Sequence, residues 1–306
     1  MTTEMKTEMA APINGPVKIP IEVPLKREGQ FIIVARRLSK NPSAVVGFVV
    51  AALLALMAVF APLLEPYPYD QQDLFNTRAA PSMDHPFGTD ELGRDVLSRV
   101  IHGSRFSLSI GVLSVLVGTS IGMLFGAIAG FFGGAVDNLI MRFIDIVQSI
   151  PGILLAIIVS VVLGPGFFNS MLALAIGAVP MSSRLLRASI LGIRSEEYLE
   201  AATSINASTP RIIIKHVLPN TFAPVLVSAT MMIGHVILGA AMLSFIGLGI
   251  QPPTPEWGSM IAGGRSLIRS APHIVTFPGI FIMLAVLSVN LFGDGLRDAL
   301  DPKLKK

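Results

Sequence analysis

EYLEAATSINASTPRIIIKHVLPN, Glu197 to Asn220, is an island of charge and of helix-breaking residues in a chain that is otherwise apolar. Glu197, Glu200, Arg211 and Lys215, with Arg194 just before them, surround an Ala-rich helical start, a polar break and a second apolar run. Where this island lies relative to the apolar stretches decides how the chain is threaded.

Of 306 residues, 52% are hydrophobic and only 14% charged, and the mean hydropathy is +0.68. That balance belongs to an integral membrane protein, not to a water-soluble domain of this length. The chain has no Cys, which removes disulfides, thiolate metal sites, cysteine nucleophiles and iron–sulfur ligation. A net charge of +3 on so long a chain indicates no nucleic-acid partner.

Six stretches approach the roughly 20 apolar residues that cross a bilayer: 44–64, 106–130, 138–163, 167–183, 221–250 and 274–293. An even number puts both termini on one side, and Lys and Arg name the side. With the N-terminus inside, the cytoplasm holds the seven cations before Ser43, Arg142, the five of residues 184–220 and the four of the C-terminal tail, leaving six outside. The opening stretch is then the longest cytoplasmic loop, between the fourth and fifth spans. Two outer segments, 65–105 and 251–273, are long enough to hold short helices.

Residues 1–30 mix Pro, Thr, Glu and Lys without an apolar run, which predicts a mobile cytoplasmic tail. In residues 31–41, Phe31, Val34, Ala35 and Leu38 share one helical face and Arg36, Arg37 and Lys40 another. This is the pattern of an elbow helix lying at the membrane interface; a cytoplasmic extension of the first span is the alternative. Residues 42–306 then make one six-helix transmembrane domain. Gly118, Gly122, Gly126 and Gly130 form one stripe of the second span and predict a closely packed neighbouring backbone, unless they reflect only the general glycine content of membrane helices.

Groups that carry chemistry are few. There is no HExxH and no GxxxxGK[ST]. His235 and Ser244, nine residues apart, fall on opposed helix faces about 13 Å apart along the axis. Arg142 and Asp145 read as a local ion pair, with a proton or ion relay as the alternative; His235, mid-span without a carboxylate at helical spacing, reads as a packed neutral histidine. With no chain of intramembrane carboxylates, a carrier driven by protons or sodium is disfavoured.

In the loop itself, Ser195 is placed to cap a helix whose first turn holds Glu196 and Glu197. Asn206 follows the Ala-rich turn where the helix must stop, and Asn tolerates the left-handed conformation that stops it. Ser208 or Thr209 then caps a second helix with Pro210 in its first turn, Ile212, Ile213 and Ile214 on an apolar face, and Leu218-Pro219 leading into the fifth span. The helix–turn–helix has more apolar surface than a solvated loop needs, which predicts a protein partner.

The run EAATSINASTPRIIIKHVLPN resembles the coupling motif of permease subunits of ATP-binding-cassette importers: Glu-Ala-Ala, three residues, Gly, nine residues, then Ile-x-Leu-Pro. Glu200-Ala201-Ala202 and Val217-Leu218-Pro219 match, and Asn206 stands where the family has Gly. FGTDELGRDVLSRVIHGSRFSL, QPPTPEWG and the ending GDGLRDALDPKLKK are similar to the second permease of dipeptide and oligopeptide importers, so the likeness covers nearly the whole chain from Phe31. It implies an all-α, six-helix transmembrane domain of the type I importer class with a cytoplasmic coupling helix, in the bacterial inner membrane.

It also implies a non-catalytic subunit without a cofactor of its own, partnered by a homologous second permease, by two ATPases that bind ATP and Mg, and by an extracytoplasmic substrate-binding protein. Glu200, Ala201, Ala202, Asn206, Leu218 and Pro219 would form the coupling contact to one ATPase. Glutathione and nickel chelates are the alternative substrates; a self-sufficient carrier or channel is the rival of another class.

Overall fold

The computed structural model describes residues 30–193, 196 and 209–300. The tail before residue 30 and four of the expected coupling residues, Glu200, Ala201, Ala202 and Asn206, lie outside the described residues. A short amphipathic helix, α1 (Gln30–Leu38), precedes α2 (Pro42–Val59). Asn41 caps α2 by accepting from the N–H groups of Ser43 and Ala44, and Pro42 occupies its first turn, where a missing N–H costs nothing. One further turn, α3 (Ala61–Leu64), follows.

The remaining elements are α4 (Val96–Phe132), α5 (Gly134–Gln148), α6 (Gly152–Leu163), α7 (Phe167–Ile193), α8 (Thr209–Ile212), a π-helical turn (Ile213–Val217), α9 (Leu218–Phe245), α10 (Trp257–Gly264), a 3₁₀ turn (Arg265–Leu267) and α11 (His273–Leu300). Among the described residues the only extended pairing is one β-bridge between Thr89 and Asp95.

Five helices, α2, α4, α7, α9 and α11, are long and apolar enough to span, and α5 with α6 forms a sixth unit bent by 85°. The straight third span expected over 138–163 is therefore two arms. Pro151 explains the break: it has no N–H for a helical bond, and its ring drives Ile150 out of the helical region. Ser149 closes α5 by donating its N–H to Asp145 O and its hydroxyl to Ile146 O.

Three other spans are longer than the apolar runs that announced them, the sixth running past residue 293 to Leu300. The second starts at Val96 instead of residue 106, because the Asp95 carboxylate accepts from both the N–H and the hydroxyl of Ser98, each at 2.7 Å. The fourth runs past residue 183 to Ile193. Its added turns carry Arg184 and Arg187, whose charges ended the hydropathy signal but are met by acids on α5.

The closest packing in the molecule joins α4 to α7. A Cβ added to Gly118 would overlap Ala175 O; one added to Gly122 would lie 2.7 Å from Val179 O and from Ser182 Cβ. At Gly126 it would lie 2.5 Å from Ser183 O, and at Gly130 3.0 Å from Ile190 Cβ. The stripe thus receives the backbone of α7 along four turns, as its spacing predicts. Gly47 receives α11 in the same way, at Ser288 O and Phe292 N.

Outer loops seal one end of the bundle. The Asp90 carboxylate accepts from the backbone of Leu92 and Arg94 and from Arg94 Nε at 2.7 Å, and Arg99 stands 3.5 Å away. Arg99 also donates to Tyr69 O, and His273 of α11 reaches Thr89 O. Glu256, 1% exposed, caps α10 through the N–H groups of Gly258 and Ser259 and accepts from Ser107 of α4. Next to it Trp257, fully buried, donates from its indole to Val100 O. The segments 65–95 and 251–272 are thus one cap, and only the second holds a helix of more than one turn.

Two substitutions test this packing. Gly122→Leu forces α4 and α7 apart and is expected to cost about 2 kcal/mol or more, read as a lower unfolding temperature of the protein in detergent; Gly130→Ala, whose neighbour is a side chain, should cost less. Glu256→Ala leaves two helix N–H groups and the Ser107 hydroxyl without their acceptor, with an expected loss of about 1–2 kcal/mol in the same measurement.

Candidate functional site

One face of α7 is consumed by α4. The opposite face opens, with α6, α9 and the inner end of α11, into a groove of about 1210 Å³. On α9 its lining recurs every three or four residues, at Pro224, Ser228, Met231, His235, Leu238 and Met242, along one helical stripe. Nearly all of the lining is aliphatic or methionine; the polar side chains on it are Ser228, His235 and Arg297.

His235 is exposed there, and is not the packed core histidine its position suggested. Its Nδ1 lies 3.3 Å from Met231 O one turn back, so Nδ1 is the donor in this contact. A mid-span histidine with polar capacity directed at a groove is the kind of group that hydropathy cannot locate, because periodicity gives a face but not what the face meets.

At the opposite end of the bundle from the Asp90–Glu256 cap, the inner ends of the groove helices are tied by a separate apolar cluster. Ile212 of α8 and Val217 of the π-helical turn are 3% and 1% exposed, packed with Ala127, Leu186, Ile190 and Val225. The sequence predicted that this apolar run waits for a partner; instead much of it is covered by the chain's own α4 and α7. The reason is reach: α8, the π turn and α9 run on without a gap, so the run lies back along the helix ends it emerges from.

Ion pairs complete this end. Arg187 Nε and Nη2 donate to the two carboxylate oxygens of Asp137 at 2.5 and 2.6 Å, and Arg184 Nη2 donates to Asp145 Oδ1 at 2.6 Å. Asp145 therefore pairs across to α7, correcting the expected pair with Arg142 on its own helix. Asp145 met another partner because α5 lies against α7. The α5–α7 contact joins the broken third span to one groove wall.

Of the coupling residues expected from sequence, the backbone of Leu218 and Pro219 is described. They begin α9, with Pro219 in its first turn. Thr209 and Pro210 begin α8, as the capping pattern predicts. In sequence the segment 197–208 lies between α7 and α8, and α8 continues through the π-helical turn into α9, so it connects the two helices that provide the groove's longest walls.

Comparison with known proteins agrees with this architecture. Residues 122–306 match the family model described as the binding-protein-dependent transport system inner membrane component. Residues 29–81 match that of the N-terminal TM domain of oligopeptide transport permease C. The chain is 46% identical over 270 residues to the dipeptide transport system permease protein DppC of Alkalihalophilus pseudofirmus, covering 88% of this chain and 89% of that one.

It is 46% identical over 271 residues to the glutathione transport system permease protein GsiD of Escherichia coli O157:H7, with the same coverage. Among solved structures, an inward-facing form of the MetNI methionine ABC transporter superposes with a TM-score of 0.53, over 67% of this chain and 98% of that one, at 19% identity. At that identity the likeness speaks for the fold, that of a type I importer permease. The chain belongs to the family of binding-protein-dependent transport system inner membrane components, as a multi-pass membrane permease of the branch that contains the dipeptide and glutathione permeases.

Proposed function

We propose that this chain is one of two homologous permeases of an ATP-driven importer of dipeptides or oligopeptides in the bacterial inner membrane, and that the groove is its half of the path. The observation that carries this reading is the wiring of the groove. Its two long walls, α7 and α9, are the helices joined by the segment with the Glu-Ala-Ala run. A partner that moves this segment moves both walls at once.

The mechanism follows from the stiffness of the parts. ATP and Mg are held by the two partner ATPases, and this chain contributes the mechanical contact. Ala201 and Ala202 allow close approach, and Glu200 offers a carboxylate to a basic group or helix end of the partner. A displacement enters α9 through α8 and the π turn, which are continuous with it, and enters α7 through Ile212 and Val217 packed on Leu186 and Ile190. The inner ends of the walls then swing while the outer cap, with its buried hydrogen bonds, holds the other end. An extracytoplasmic binding protein delivers substrate to that cap. The Lys and Arg bias places both termini in the cytoplasm.

Glutathione is a second reading, favoured by the equal identity to the glutathione permease. Uptake of labelled peptides and of glutathione, lost on deletion of the gene and restored by this chain, separates the two. Copurification with two ATPases and a second permease supports the importer; substrate movement by the isolated chain would instead establish a self-sufficient carrier or channel.

Glu200→Arg is expected to leave the protein in the membrane with an unchanged unfolding temperature while uptake falls at least about tenfold, the loss of one charge-assisted contact replaced by repulsion. Hydrolysis in this variant is either lost with the ATPases or runs without uptake; normal uptake would remove Glu200 from the coupling contact. Asn206 separates two turn geometries. Asn206→Gly should keep uptake within about twofold, whereas Asn206→Val should lower it about tenfold, since a β-branched residue resists positive φ.

A further inference from the structure

The groove has a level at which its two walls differ from the rest of their length. Leu174 lies beside Gly239, where an added Cβ would come within 3.0 Å of Leu174 Cδ2. Farther inward, Leu186 and Val225 share one apolar cluster. Counting three residues inward from the Leu174–Gly239 contact on each antiparallel helix sets Gly177 of α7 level with Val236 of α9, one residue from His235. Gly177 and His235 both line the groove.

Gly177 is open: a Cβ added there would meet nothing within 4 Å. It contrasts with Gly118, Gly122 and Gly126, where the missing side chain is replaced by a neighbouring helix. Among the described residues no helix of this chain packs against Gly177. The adjoining His235 keeps Nδ1 on Met231 O, and its Nε2 has no partner among the described residues. In the neutral ring with Nδ1 protonated, Nε2 is an acceptor. Met181, Met231 and Met242 also line the groove and are side chains that adapt to differently shaped apolar neighbours.

Resting on the reading of the groove as the translocation path, we infer that His235 and Gly177 form the level at which the permease itself discriminates among peptides. His235 Nε2 accepts a hydrogen bond from a peptide N–H or terminal ammonium, and the space over Gly177 admits the side chain that passes beside it. A peptide brings its own donors into a passage with few acceptors, so one acceptor is enough to orient it. The vacant glycine position sets the size that passes.

The test uses the complete transporter in proteoliposomes with two dipeptides that the unmodified complex takes up, one with methyl and one with aromatic side chains. Gly177→Leu is expected to keep the small dipeptide within about twofold and to slow the aromatic one about tenfold, with Gly177→Ala in between; a methylene-scale change in an apolar pocket has effects of this order. His235→Phe should slow both about tenfold, the effect of one lost hydrogen bond, and His235→Gln should restore uptake, while unfolding temperature and basal ATP hydrolysis stay unchanged in all four.

Equal slowing of both dipeptides by Gly177→Leu, or undiminished uptake by His235→Phe, overturns the inference. So does a His235→Phe variant whose lost uptake tracks lost stability or lost hydrolysis. Failure of the unmodified complex to take up any peptide would overturn the importer reading, and this inference with it.

Discussion

Everything in this fold is arranged around how closely α4 can approach α7. In lipid there is no hydrophobic gain in bringing two apolar helices together, so their contact must come from van der Waals packing and short-range polar terms. Four glycines supply the room, and α7 answers with Ala175, Ala178, Ser182 and Ser183 at the contact. Ser182 adds a hydroxyl contact to Thr119 at 3.3 Å, although its hydroxyl is already satisfied by Ala178 O. The seam fixes the rotation of α7 about its own axis, and that rotation decides which residues of α7 are left to face the groove.

The two ends of the bundle are held by different kinds of contact. The outer end is closed by buried groups whose hydrogen bonds are made within the chain: Asp90 with Arg94, Asp95 with Ser98, Glu256 with the start of α10. Breaking any of these strands a buried charge or donor, which is costly, so that end resists change. The inner end rests on a small apolar cluster, on the bidentate Arg187–Asp137 pair and on Arg184–Asp145, whose side chains are about half exposed and which therefore adds little by itself. Local opening follows the weaker contacts. The proposed importer, in which the end near the coupling segment moves and the loop-capped end holds, is served by this asymmetry.

The apolar stretches and the glycine seam were legible because each depends on local hydropathy or a single helical period, and Pro210 lies in the first turn of α8 as its residue type predicts. What could not be read is every choice of partner between elements. Arg142 and Asp145 are spaced as a pair, yet Asp145 faces α7; Ile212 and Val217 look unpartnered until α8 lies on α7. His235 carries a periodicity that fits a core or a cavity equally well. The bend at Pro151 was signalled by residue type, but two apolar arms of adequate total length hid it. The expected coupling residues rest on resemblance alone, since nothing in the physics of Glu200-Ala201-Ala202 names an ATPase.

The poverty of polar groups in the groove bears on why selection within it must be slight. A peptide in transit leaves water and brings a charged terminus at each end, so a path rich in fixed charges would hold it. Conduction requires contacts favourable enough for entry and weak enough for exit. Binding energy that is equal along the path and at its mouths lowers no barrier, and tight retention at mid-path would raise the step out. Among the described lining residues, three polar side chains spread over α9 and α11 meet this requirement. In the proposed importer, affinity lies in an extracytoplasmic binding protein and work comes from ATPases, so the permease needs only to keep the peptide oriented and to reject what does not fit. One imidazole beside one empty glycine position is a sufficient device for that.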